Sequence, residues 1–232
     1  MEWRKYYLDM ILVPLAFLIT AGYHAKLWHK TRTEPFSTTI GINARARRLW
    51  VPTMLKDIEK KNILVAQSLR NLIMGSTLMA TTSILLSAGL AAVISSTYSV
   101  KKPLDDVVYG AHSEFMVALK YLTLLTIFLF SFICHSQSIR FLNQLSILIC
   151  TPQDAMSLVT PKYLTDILEK GTILNTVGNR IFYSAIPLML WIFGPVLVLL
   201  CSIAMLLVFY NLDFVCGSGK AKMVLNDKSD NV

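Results

Sequence analysis

The sequence predicts an all-α integral membrane protein with four transmembrane helices. Three observations carry this. Four apolar runs reach the roughly 20 residues a helix needs to cross about 30 Å of hydrocarbon. Of the 232 residues, 54% are hydrophobic and only 16% charged, more apolar than soluble domains usually are. The formal charge of +8 gathers on one side of the runs instead of spreading over a solvated face, so a nucleic-acid partner is not expected.

The first run, about 7–28, is interrupted by Asp9, Pro14, His24 and Lys26. It is longer than a signal-peptide core and lacks a small-residue cleavage site, so it reads as a retained anchor. The second run covers about 72–96, the third about 115–134 and the fourth about 181–210. Residues 1–210 form a single membrane domain, and 211–232 a short polar tail. Pro187 and the pair Gly194 and Pro195 lie within the fourth run. Proline removes a helical hydrogen bond, so these three positions are read as either a bend that packs or a hinge.

Four spans place both termini on one side. That side, with the loop from Thr97 to Glu114, is neutral, whereas the side holding 26–70 and 135–180 has fourteen basic and six acidic residues and carries the whole excess. By the positive-inside rule the basic side is cytosolic and both termini are non-cytosolic, in a plasma membrane or endomembrane.

Two spans continue beyond the bilayer. Leu55, Ile58, Val65, Leu69 and Leu72 recur with helical spacing after Pro52. A helix from Thr53 to Ser96 has 44 residues and measures about 66 Å, so 53–71 projects into the cytosol. The third span continues similarly, with Ile139, Leu142 and Ile149 on one face, and 135–180 is a helical cytosolic layer broken at Thr151-Pro152 and Thr160-Pro161. Its apolar stripes can pack within the chain or receive a protein partner.

Ser76, Thr77, Thr81, Ser83 and Ser87 give the second span a set of hydroxyls. Small residues at four-residue spacing let helices approach closely; alternatively, hydroxyls line a water-filled path. Asp9, Asp105, Asp106, Glu114 and Asp213 fall at the non-cytosolic ends and read as a paired rim or, in an oligomer, a ring attracting cations. Arg45, Arg47 and Arg48, near Trp28 and Trp50, either set topology or meet anionic lipid headgroups.

No histidine or cysteine spacing indicates a metal site or a disulfide. Gly217-Ser218-Gly219-Lys220 has part of a phosphate-loop pattern, but Ala221 follows the lysine and the leading glycine is missing. No cofactor and no enzymatic activity are expected.

The strings MEWRKYYLD, GYHAKLWHK, TTIGINARARRLWV, KKNILVAQSLRNLIMGSTLMATTSILLSAGLAAVISSTYSVKKPL and YGAHSEFMVALKYLTLLTIFLFSF resemble a plant family of multi-span membrane proteins catalogued as domain of unknown function 599. The resemblance covers most of 1–150 and continues more loosely into the fourth span. It implies this membrane architecture and supplies no site residue. Two functions follow as expectations. One is a homo-oligomeric channel or small-solute pathway, with cation conduction as one form of it; the other is a non-enzymatic scaffold binding a partner through its cytosolic helices.

Overall fold

A computed structural model describes residues 3–99, 114–151 and 160–215. Among these are six α-helices: α1 (Trp3–Thr33), α2 (Thr39–Leu55), α3 (Ile58–Ser99), α4 (Glu114–Cys150), α5 (Pro161–Met189) and α6 (Pro195–Asp213). One-turn 3₁₀ segments at Pro35–Ser37 and Leu190–Ile192 join α1 to α2 and α5 to α6. The chain is an all-α membrane protein, with α1, α3, α4 and α6 long and apolar enough to cross a bilayer.

The fourth span differs from its sequence-based bounds. Residues 181–210 are not one bent helix: the helix stops, Gly194 adopts an extended conformation, and Pro195 opens α6. A residue preceding proline is disfavoured in the helical region, while proline is well suited to the first helical turn because its missing N–H would be unpaired there anyway. Gly194 and Pro195 therefore make a reversal, whereas Pro187 lies buried within α5. The second arm of the hairpin is α5, whose amphipathic first half begins at Pro161, capped by the Thr160 hydroxyl on the Tyr163 amide.

This reversal changes the topology. Helices α3, α4 and α5 run antiparallel in turn: Ser83 meets Ser131 and Ser76 meets Ser138 across α3 and α4, while the Ser131 and Ser138 hydroxyls donate to the carbonyls of Gly178 and Gly171 on α5. Helices α1 and α6 run parallel, since Val13, Ala16 and Val198 share one apolar cluster and Tyr23 bonds Asp213 at the far end. The start of α1 and the end of α6 thus lie at opposite ends of the bundle, contrary to the same-side reading. Its end is stitched to the α1–α2 junction: the Val215 amide donates to the Ser37 carbonyl (3.2 Å) and the Thr39 hydroxyl to the Leu212 carbonyl (2.8 Å).

A second correction concerns the helix predicted over 53–96. The chain turns at Lys56 and Asp57, ending α2 at Leu55 and starting α3 at Ile58, so Pro52 lies near the end of α2. The turn brings Val51 and Val65 into one core with Leu69, Leu142, Leu145, Ile149, Leu164 and Leu168. The apolar stripes of α2, the start of α3, the end of α4 and the start of α5 bury against each other in a head. Gly41 lets the start of α2 close on the α1–α2 junction, since a Cβ there would lie 2.2 Å from the Pro35 carbonyl oxygen.

Candidate functional site

The two cores account for most apolar burial; buried polar groups collect along the contact of α3, α4 and α5 and, with charged members, around α1, α5 and α6. At the basic end Tyr23 donates a 2.6 Å hydrogen bond to Asp213 Oδ2, and Arg180 Nη2 donates to Asp213 Oδ1. The Arg180 guanidinium lies 4.7 Å from the Phe209 ring centre, while its Nη1 is buried with no hydrogen-bond partner. Asp213 itself is 3% exposed. A buried carboxylate is costly unless it is paired and hydrogen-bonded, and Arg180 with Tyr23 supplies both. His24 completes this end: its Nδ1–H donates to the Thr20 carbonyl at 2.8 Å, and its ring meets Tyr23 and Phe209 edge-on.

At the other end, Trp191 Nε1–H donates to Asp9 Oδ1 at 2.9 Å, and Lys120 Nζ stands 5.5 Å from the Trp191 ring centre. Asp9 and Lys120 are both buried. The 3₁₀ turn at Leu190–Ile192 places Trp191 here, joining α1 and α4 to the hairpin tip. Beside the Arg180–Asp213 pair is a cavity of about 40 Å³, walled by Ala16, Pro187, Leu188, Val198 and Phe209 and carrying Thr20, His24, Arg180, Ser184 and Ser202 as its polar positions.

The acidic residues do not make one rim. Asp9 and Asp213 sit at opposite ends because α6 crosses from one end of the bundle to the other, and each is engaged by an aromatic donor. Asp105 and Asp106 lie outside the described residues, as does the side chain of Glu114. The hydroxyls of α3 divide as well. Ser76, Ser83 and Ser87 are buried, whereas Thr77 and Thr81 are exposed and point away from α4. Ser83 bonds Ser131, and Ser76 donates to Asn175 Oδ1 (3.2 Å), which also takes the Nδ1–H of His135 (3.1 Å). Gly178 makes room for that ring, since a Cβ there would stand 2.8 Å from His135 Nε2. This polar seam holds three helices together.

The basic cluster is also divided. Arg48 pairs with Glu169 on α5, Arg45 stacks on Phe36 at 4.9 Å, and Arg47 is half-buried with its Nε unpartnered. Burial pushes the Arg47 pKa down and Glu169 opposes it, while the hydrogen bond from Arg48 to Glu169 raises that of Arg48. Nearby, Arg32 stacks on Trp28 and Lys30 on Phe214, an arrangement suited to a headgroup region.

Sequence reasoning missed Tyr23, Lys120, Arg180 and Trp191 as partners. Its available signal was the 30-residue length of the run 181–210, more than one crossing requires, with a Gly-Pro pair inside and charged residues just beyond both ends.

The family described as "Protein of unknown function, DUF599" matches residues 11–218. No curated protein and no solved structure matches the chain.

Proposed function

The chain belongs to the DUF599 family, whose description assigns no activity, and we propose from its geometry that it provides a small-solute pathway through the crevice of α1, α5 and α6. The observation that carries this reading is the cavity beside the Arg180–Asp213 ion pair, in a bundle that also buries Asp9 and Lys120 around Trp191. Buried ion pairs are weak sources of stability, and ionisable residues at membrane depth mark pathways more often than they mark packing. Arg180 and Pro187 both line the crevice.

In this reading the basic end is cytosolic. The stretch after Asn211 carries three basic and three acidic residues, so moving it to that end leaves the charge asymmetry unchanged. The amino terminus is then non-cytosolic and the end of α6 cytosolic. The pathway is a passive, non-enzymatic one contained in one subunit; a homo-oligomer adds copies of it without being needed to form it.

Reconstitution tests the reading. Vesicles holding the protein shrink faster than protein-free vesicles after an osmotic step, and Ser202→Trp, which fills the crevice, abolishes the gain. Equal rates with and without the protein overturn it. They would favour the scaffold reading, which has its own support in Leu49, Ile63 and Ile147, large apolar side chains exposed on the head.

A further inference from the structure

Three cations gather where α1 and α6 end, each lodged on an aromatic ring. The Arg32 guanidinium lies 4.5 Å from the Trp28 ring centre, that of Arg45 4.9 Å from Phe36, and Lys30 Nζ 5.3 Å from Phe214. Two of the apolar spans finish here, at Thr33 and Asp213. The Thr38–Phe214 bridge and the hydrogen bond between the Thr31 and Thr38 hydroxyls tie the end of α1, the Pro35–Ser37 turn and the end of α6 into one corner.

A ring face holds a cation in place without cancelling its charge. The ion pairs among the described residues are Arg48–Glu169, Lys61–Asp57 and Arg180–Asp213, and none uses these three side chains. Residues 26–56 hold seven basic residues and one acidic residue, so the charge of the corner is not balanced within its own stretch of chain. The arginines of α2 therefore part company: Arg48 is committed to Glu169, while Arg45 joins Lys30 and Arg32 through Phe36.

Geometry decides between a free anion and a leaflet. Lys30 and Arg32 are two residues apart on one helix, about 200° around its axis. Lys30 faces α6, and Arg32 lies on the opposite side beside Trp28, which is 56% exposed. One small anion cannot reach both, whereas a layer of headgroups around the spans can. Tryptophan is at home at that depth. A guanidinium laid flat on a ring also keeps its edge N–H groups available, and phosphate oxygens accept from that edge in pairs.

We propose that this corner is a docking surface for anionic phospholipids of the adjoining leaflet, with Lys30, Arg32 and Arg45 donating to phosphate oxygens. It is independent of the pathway and holds whether or not a solute crosses.

The full chain in neutral detergent is titrated with phosphatidylglycerol or with phosphatidylcholine of the same acyl chains, and bound lipid is counted by native mass spectrometry. Phosphatidylglycerol should bind at least about tenfold more tightly, since each basic residue near an anionic surface contributes about fivefold. Lys30→Gln, Arg32→Gln and Arg45→Gln together should reduce that preference to about threefold or less. Lys56→Gln, Lys60→Gln and Lys162→Gln, which remove as much charge from exposed positions at the far end of the head, should leave it unchanged. Arg32→Gln alone, on the outward side of α1, lowers the preference severalfold and serves if the triple variant does not fold. Equal binding of the two lipids overturns the proposal, as does a preference that the corner variants leave intact or that the head variant abolishes equally. Displacement of phosphatidylglycerol by sodium phosphate but not by sodium chloride of the same ionic strength makes the ligand a free anion, and overturns it too.

Discussion

Tyr23 on the first helix and Asp213 at the end of the last are joined by a 2.6 Å hydrogen bond spanning 190 residues of sequence. The contact fixes the parallel course of α1 and α6, and leaves Asp213 accepting from Tyr23 and Arg180 together. A carboxylate so enclosed depends on both donors.

Removing the carboxylate isolates a buried guanidinium. Asp213→Leu should destabilise the protein by about 3–5 kcal/mol, since breaking one side of a buried ion pair strands the other. Arg180→Met combined with Asp213→Leu should recover much of that loss. Thermal unfolding of the two single variants and the double variant in one detergent gives the coupling. Additive effects would mean that the two side chains do not pair.

The exposed pair offers the contrast. The Arg48 side chain is 67% exposed and that of Glu169 17%, so solvent screens the pair from the Arg48 side, and ion pairs at a surface contribute roughly 0–1 kcal/mol. Glu169→Gln should therefore change stability by less than about 1 kcal/mol, with the difference shrinking in high salt. A larger, salt-independent loss would show that Glu169 supports more than Arg48.

Topology is open to cross-linking. Thr38 and Phe214 form an isolated antiparallel bridge, close enough for a disulfide. In a background without native cysteines, Thr38→Cys with Phe214→Cys should cross-link under mild oxidation, whereas Asp9→Cys with Asp213→Cys should not. The reverse pattern would restore a single crossing for 181–210.

Crowding at the polar seam predicts a specific rescue. Gly178→Ala places a methyl group 2.8 Å from His135 Nε2 and should cost about 1–3 kcal/mol, as overpacking generally does. Adding His135→Ala should relieve part of that cost. A Gly178→Ala variant as stable as the parent would mean that the helices separate without penalty.

Thiol labelling distinguishes the hydroxyls of α3. Ser83→Cys should stay unreactive toward water-soluble maleimide in the folded protein, because position 83 is buried against Ser131. Rapid labelling there would reopen a water-filled path along α3.

Hydropathy and helical spacing made the apolar runs, the long extensions of α3 and α4, and the breaks around Thr151 and Thr160 legible from the sequence. They could not show that Gly194 and Pro195 reverse the chain, because a kink and a hairpin share the same local chemistry. The choice depends on whether α5 has a neighbour along its polar face. Here α4 provides it, through Ser131, His135 and Ser138 facing Gly171, Asn175 and Gly178. The site is hidden for the same reason: if 181–210 were one helix, Asp213 would fall beside Asp9 and Arg180 would only set topology.

The hairpin also bears on how the chain enters its membrane. Helix α5 carries Asn175, Asn179 and Arg180 toward bilayer depth and falls short of the apolarity found in α1, α3, α4 and α6, so a translocon has little reason to release it into lipid alone. Helix α6 brings the carboxylate that neutralises Arg180, and α4 the partners for Asn175. Insertion of α5 therefore waits on α6, which follows it in the chain and closes like a clasp on a helix already threaded but not yet at rest.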